Sequence, residues 1–258
     1  MPQFYQTPRG YQLAYHYTPP KNTDLPTVVF LGGFMSDMQG SKATEFERLC
    51  TERGQGYLRF DYSGHGQSEQ EFTQGTIGIW AKDAYDLISA VTEDQPLILV
   101  GSSMGGWIAL LTALRLKSQV QSIIGIAAAP DFTKEMHDER LTSAQKQEVS
   151  ENGITYIPSD YGAPYPITKA LLEDGKTHCL LHDKINLECP VRLLQGTEDH
   201  IVPSDKPERI AKALTSIDVS IEWFEGGDHS LSRPEDIQKI DACIQSLSSV
   251  QAYTSTSA

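Results

Sequence analysis

The run Leu97-Ile98-Leu99-Val100-Gly101-Ser102-Ser103-Met104-Gly105-Gly106-Trp107 joins a short apolar stretch to Gly-x-Ser-x-Gly, and helical spacing (Trp107, Ile108, Leu111, Leu114) begins at once. A serine set between a strand and a helix sits on a sharp turn that lifts its hydroxyl above the sheet edge. Gly101 and Gly105 leave room for the two elements to approach. The helix that follows points its unbonded N–H groups at the reacting centre. This context marks Ser103, and not its neighbour Ser102, as a nucleophile. A serine hydroxyl needs a base, and the base needs an orienting acid. For an elbow of this kind the acid and then a histidine follow in the chain. Asp199 lies in Gly196-Thr197-Glu198-Asp199-His200, just past the apolar run Val191–Gln195. His229 lies in Glu225-Gly226-Gly227-Asp228-His229-Ser230, just past a run ending at Phe224. The three residues would perform acyl transfer.

Other candidates are weaker. His16 belongs to an N-terminal hairpin, His137, His178 and His182 to a long connection, and His200 to the acid loop itself. His65, in Asp61-Tyr-Ser-Gly-His-Gly-Gln-Ser, reads as turn scaffold. Asp131 competes with Asp199 because it too follows an apolar run, Ile123–Ala127, whereas Asp228 is too close in sequence to bond the imidazole of His229. Two backbone N–H groups should receive the developing oxyanion: that of the residue after the nucleophile and one on the loop after an early strand. The first is Met104. The second is Phe34 in Leu31-Gly32-Gly33-Phe34-Met35, with Met35 as the alternative.

These residues need a sheet to carry them. Phe4–Tyr17 reads as a hairpin turning at Pro8-Arg9-Gly10, followed by buried-strand patterns at Thr27–Leu31, Tyr57–Phe60, Leu97–Val100, Ile123–Ala127, Val191–Gln195 and Val219–Phe224. Helical spacing alternates with them at Lys42–Arg53, Thr76–Thr92, Met104–Lys117, Asp205–Thr215 and Pro234–Ser248, the last opening on a capping box from Ser232 to Glu235. Alternation of this kind predicts an α/β fold, a doubly wound and mostly parallel sheet of about eight strands. The stretch between Ala127 and Val191 is too long for one crossover. It holds weak helical patterns at Ser143–Glu151 and Thr168–Glu173 and an aromatic run from Tyr156 to Tyr165, and reads as a small helical cap over residues 130–188 of a single domain. The polar tail from Ser248 to Ala258 is expected to fray.

The chain has 258 residues, 21 basic and 34 acidic, and a net charge of −13, so nucleic acid and anionic membrane surfaces would repel it. No apolar run is long enough for a membrane span. Cys50, Cys179, Cys189 and Cys243 are scattered without metal-ligand or disulfide-framework spacing and read as buried free thiols. The chemistry described needs no metal and no organic cofactor.

Taken together, the elbow, acid loop and histidine loop resemble the α/β-hydrolase superfamily over essentially the whole chain. Five further stretches narrow the likeness: Gly33 to Ala43, Arg59-Phe60-Asp61-Tyr62-Ser63-Gly64, Gly101 to Trp107, His178-Cys179-Leu180-Leu181-His182, and Cys189-Pro190-Val191-Arg192-Leu193-Leu194. They resemble the group formed by the tenth α/β-hydrolase-domain protein of animal mitochondria and its bacterial relatives. The resemblance implies palmitoyl-protein thioesterase and acyl-glucuronide esterase activity, and its triad falls on Ser103, Asp199 and His229. The first residues show no signal or transit pattern, so a cytoplasmic enzyme is expected. Its expected partner is a small-molecule or acylated-protein substrate. Phe34, Met35, Met104, Tyr156, Ile157, Tyr161, Tyr165, Ile167, Leu171 and Leu172 are candidates to line an acyl pocket. The competing expectations are a generic short-chain carboxylesterase and a non-catalytic ligand-binding member of the fold.

Overall fold

A computed structural model describes residues 1–159 and 164–249. In chain order the elements are β1 (Gln3–Gln6), β2 (Gln12–Thr18), β3 (Thr27–Leu31), α1 (Ser41–Glu52), β4 (Tyr57–Phe60), α2 (Ile77–Thr92), β5 (Leu97–Ser102), α3 (Met104–Arg115) and β6 (Val120–Ile126). There follow α4 (Phe132–Glu135), a π-helical turn at Met136–Arg140, α5 (Ser143–Asn152), β7 (Ile154–Ile157), β8 (Tyr165–Thr168) and α6 (Lys169–Thr177). The chain closes with β9 (Val191–Gly196), α7 (Lys206–Ala213), β10 (Val219–Phe224) and α8 (Pro234–Ser248).

Eight strands form one sheet in the order β1-β2-β4-β3-β5-β6-β9-β10. Only the pairings of β1 with β2 and of β2 with β4 are antiparallel. β3 (Thr-Val-Val-Phe-Leu) is buried throughout, as a strand covered on both faces must be. Its side chains alternate accordingly: Val28 and Phe30 join a core with Phe46 of α1 and Ile240 and Ile244 of α8, while Val29 and Leu31 join one with α2 and α3. α2 starts where Thr76 accepts the Ile79 N–H, a cap that satisfies one of the helix's free donors. α8 spans Pro234–Ser248 as expected, but its capping box lies one residue beyond the expected Ser232–Glu235 pair. Arg233 holds the N-cap position, and Asp236 accepts both its N–H and its guanidinium.

The segment between β6 and β9 is less helical than expected. The aromatic run starting at Tyr156 contributes to a two-stranded hairpin, β7 pairing β8 from Ile154↔Thr168 to Ile157↔Tyr165. Its strands are too short for period-two alternation to register. Side-chain bonds hold this segment together and tie it to the sheet body. The Asp131 carboxylate accepts the N–H groups of Leu180 (2.7 Å) and Leu181 (2.9 Å), and the Trp107 indole N–H donates to His178 O (3.1 Å). Residues 250–258 and Tyr161 lie outside the described residues. All four cysteines are free, with only Cys50 fully buried. No helix of the described residues is long and apolar enough to cross a membrane.

His65 packs among the rings of Tyr62, Phe72 and Trp80. Its Nδ1–H donates to Ser63 O, and its Nε2 is buried without a partner. Burial pushes it from 6.5 down to about 4. The unfolded chain therefore binds a proton here at a pH where the folded one does not. Stability should fall as pH drops from 6.5 to 4, by up to roughly 3 kcal/mol. His65→Phe should flatten that slope in urea unfolding; an unchanged slope would place the proton uptake elsewhere. A Cβ on Gly105 would lie 2.0 Å from Leu31 O and 2.6 Å from Gly32 O. Gly105→Ala should destabilise the fold by more than about 4 kcal/mol, read from thermal or urea midpoints.

Candidate active site

All the chemistry-bearing loops leave the C-terminal ends of parallel strands, where open α/β sheets bind ligands. Ser103 follows β5 near the sheet's middle, Asp199 follows β9, His229 follows the edge strand β10, and Phe34 follows β3. Ser103 has φ 55° and ψ −118°, a conformation an L residue holds only when its surroundings insist. They do. Its N–H donates to Ile126 O (2.9 Å), and its carbonyl accepts from Ala129 N (3.0 Å) and Gly106 N (2.9 Å). A Cβ on Gly101 would stand 2.3 Å from Gly105 O, so strand and helix touch backbone to backbone.

The Ser103 hydroxyl lies 3.1 Å from His229 Nε2, and His229 Nδ1 lies 2.9 Å from Asp199 Oδ2. With Asp199 ionised, Nδ1 carries the proton and Nε2 is free to accept from Ser103. The Asp199 side chain is fully buried. Gln195 Nε2 donates to its Oδ2 (2.8 Å), and the N–H groups of Ile201 and Val202 donate to its Oδ1 (2.8 and 3.0 Å). Burial works to raise this carboxyl, but the bond from His229, its charge and the two backbone N–H donors outweigh it, and the net shift is downward. Gln195 escaped the reading of the sequence; a polar residue set directly before the acid loop was its one signal.

Phe34 and Met35 are the central residues of a turn closed by Ser36 N to Gly33 O (3.2 Å), and Met35 has φ 56°. Gly33 abuts the nucleophile: a Cβ there would sit 3.5 Å from Ser103 Cβ. The Phe34 ring fixes this turn by edge contacts with Phe72, Trp80, Phe132 and Tyr165 at centroid distances of 4.9–5.9 Å. Met104 opens α3 directly after Ser103. The backbone N–H groups expected to meet an oxyanion thus lie beside Ser103, one on the turn after β3 and one at the first residue of α3. The rejected candidates are occupied elsewhere. Asp131 anchors the β6–β9 segment, as described above. Asp228 shapes the histidine loop by accepting Ser230 N, Leu231 N and Ser230 Oγ.

A cavity of about 580 Å³ opens on Ser103 and His229. Of the residues expected to line it, Phe34, Met35, Met104, Ile157 and Tyr165 do, joined by Phe132, Met136 and Val202. Ile167, Leu171 and Leu172 instead pack into the core at 0–3% exposure, and Tyr156 faces solvent at 58%. Two lysines in the lining were missed. Lys206 has no exposed side-chain surface and donates to Glu135 (2.5 Å) and Pro130 O (3.0 Å), joining α7 to α4. Burial lowers its pKa against the pull of Glu135. Lys42 reaches from α1 to the histidine loop. Both stand in the first turn of a helix, where a cation opposes the helix dipole. That breach of rule was the signal.

Comparison with known proteins identifies the family. Residues 25–153 match the family model "Serine aminopeptidase, S33", and residues 165–254 match the dienelactone hydrolase family. Palmitoyl-protein thioesterase ABHD10, mitochondrial, from Homo sapiens is 36% identical over 231 residues, 87% of this chain and 75% of that protein. The structure of α/β-hydrolase domain-containing protein 10 from mouse superimposes with a TM-score of 0.87 at 35% identity, covering 96% of this chain and 98% of that one. A protein from Agrobacterium vitis S4 gives 0.90 at 37% identity over the same shares. Est1E from Butyrivibrio proteoclasticus, 16% identical at a TM-score of 0.77 and covering 95% of this chain and 96% of that one, shares the fold. With this geometry and these relatives, the chain belongs to the α/β-hydrolase family as a serine esterase that resembles ABHD10.

Proposed function

We propose that this enzyme hydrolyses carboxylic esters or thioesters of lipophilic acyl groups through an acyl-enzyme on Ser103, with S-palmitoylated protein as the substrate class suggested by its ABHD10 relatives. The observation that carries the reading is the hydrogen-bonded line Asp199–His229–Ser103 opening on a cavity walled by Phe34, Phe132, Met136, Ile157 and Tyr165. His229 takes the Ser103 proton as the oxygen attacks the acyl carbonyl. The N–H groups of Phe34 and Met104 receive the oxyanion, and His229 passes its proton to the departing alcohol or thiol. Water, deprotonated by the same imidazole, then releases the acid. A volume near 580 Å³ is of the size that holds a small lipophilic ligand. Acyl-glucuronides form a second reading, favoured by Arg140, an exposed cation lining the same cavity whose guanidinium donates to Ile201 O.

A panel of aryl esters and acyl thioesters from two to sixteen carbons tests the reading. Each buried methylene contributes up to about 0.8 kcal/mol, so kcat/KM should climb about fourfold per carbon until the cavity is full. A fluorophosphonate should label the wild type and not Ser103→Ala. Activity confined to acetyl esters would leave a short-chain carboxylesterase, and labelling without any turnover would favour the ligand-binding alternative. Asp199→Asn keeps the shape but loses the charge that holds the His229 tautomer, and kcat should fall about 10⁴-fold. A loss under tenfold would point to a different orienting acid.

A further inference from the structure

Helix α1 begins with Lys42 in its first turn and no carboxylate there to favour the helix dipole. The side chain goes instead to a loop 188 residues away, where its Nζ donates to Ser230 O and, at 3.4 Å, reaches Ser232 Oγ. Ser230 O belongs to the peptide joining Ser230 to Leu231. The N–H of that same peptide donates to Asp228 Oδ1 (3.0 Å). Both polar ends of one peptide, a single residue past His229, are therefore held from different elements. Leu231 then adopts φ 45°, in the left-handed region, with its side chain fully buried in the core that α8 closes. Such a conformation costs on the order of 1 kcal/mol or more and persists only where the surroundings over-determine it.

We propose that Lys42 is a positioning residue for His229, clamping the strained 230–231 peptide so that the imidazole stays in line between Asp199 and Ser103. The inference rests on the reading of His229 as the base. Lys42 also lines the cavity beside His229 and Ser230. Withdrawal from bulk water pushes its ammonium down to about 8, against the attraction of Asp228 and Asp236. It is thus still mostly charged at neutral pH, and its bond to Ser230 O is of the stronger, charge-assisted kind. Without Lys42 the carbonyl keeps only the Ser232 hydroxyl at 3.2 Å, so the loop remains bonded but less constrained. The Ser103–His229 contact is long at 3.1 Å, and a displacement near 1 Å at a catalytic group costs about a hundredfold in rate.

The test compares wild type, Lys42→Met and Lys42→Arg as full chains. Methionine keeps the length and apolar stem, and arginine keeps the charged donor. With a p-nitrophenyl ester, Lys42→Met should lose about ten- to a hundredfold in kcat with KM within about twofold, and Lys42→Arg should recover most of the loss. The downfield proton resonance of His229 Nδ1 should broaden or move in Lys42→Met and return in Lys42→Arg, a change that loss of a merely structural tie would not produce. A kcat for Lys42→Met within twofold of wild type overturns the inference. So does a raised KM with unchanged kcat, which would make Lys42 a substrate contact. Failure of the wild type to turn over ester, or of Ser103 to label, would instead overturn the reading of the site itself.

Discussion

Backbone touches backbone where α3 meets the ends of β3 and β5, and the rest of the site follows from that approach. No Cβ fits at Gly105 against Leu31 O, or at Gly101 against Gly105 O. With the helix pressed this close, the residue between must turn sharply, and Ser103 takes a positive φ. Its hydroxyl leaves the sheet edge, the helix N-terminus lies beneath it, and the turn after β3 comes alongside through Gly33. The backbone N–H groups expected to meet an oxyanion need no separate device. They are what remains free when a strand, a turn and a helix start converge.

A buried carboxylate is the second constraint, and the loop after β9 is built to satisfy it. An isolated charge at Asp199 would cost several kcal/mol, and the site offsets this with bonds from His229, Gln195, Ile201 and Val202. The same logic governs Lys206 and Glu135, an ion pair set between α7 and α4 that connects the acid loop's helix to the β6–β9 segment. Arg140 adds a bond to Ile201 O in the same direction. The chemistry therefore stands on the sheet body, while the β6–β9 segment, held together by Asp131 and tied to the body by Trp107 and Lys206, supplies one wall of the cavity.

Signals that are local in sequence were legible. The strands Thr27–Leu31, Tyr57–Phe60 and Val219–Phe224 and the helix Pro234–Ser248 were readable to the residue, although β10, expected to be buried, is an edge strand with Ser220, Glu222 and Trp223 exposed. The meeting of Ser103, Asp199 and His229 was legible because each follows a strand, so topology alone delivers them to one edge. Partners chosen by tertiary contact were not. Lys42 and Lys206 find their roles with residues far along the chain, and even Gln195, bonded to Asp199 only four residues on, depends on how the loop after β9 folds back; no periodicity encodes that. The β7–β8 hairpin hid in four-residue strands, and Ile167, Leu171 and Leu172 look as apolar in the core as they would in a pocket. Asp131 was ambiguous for a plain reason: a carboxylate after a strand can orient a histidine or hold backbone N–H groups, and only geometry separates the two.

Strain marks the same place by an independent route. Of the seven non-glycine residues with positive φ among the described residues, five (Met35, Ser103, Ala127, Asp131 and Leu231) lie on loops after β3, β5, β6 and β10. Each costs on the order of 1–3 kcal/mol, so together they weigh against a net stability that for a domain is only about 5–15 kcal/mol. A fold holds such a set only where dense packing over-determines it, and here two cores grip the sheet from both faces. The buried strands β3, β5 and β6 thus do more than bury area. Their rigidity lets the loops at their ends hold conformations that free loops would relax, and so keeps a hydroxyl, an imidazole and two backbone N–H groups in register before any substrate arrives.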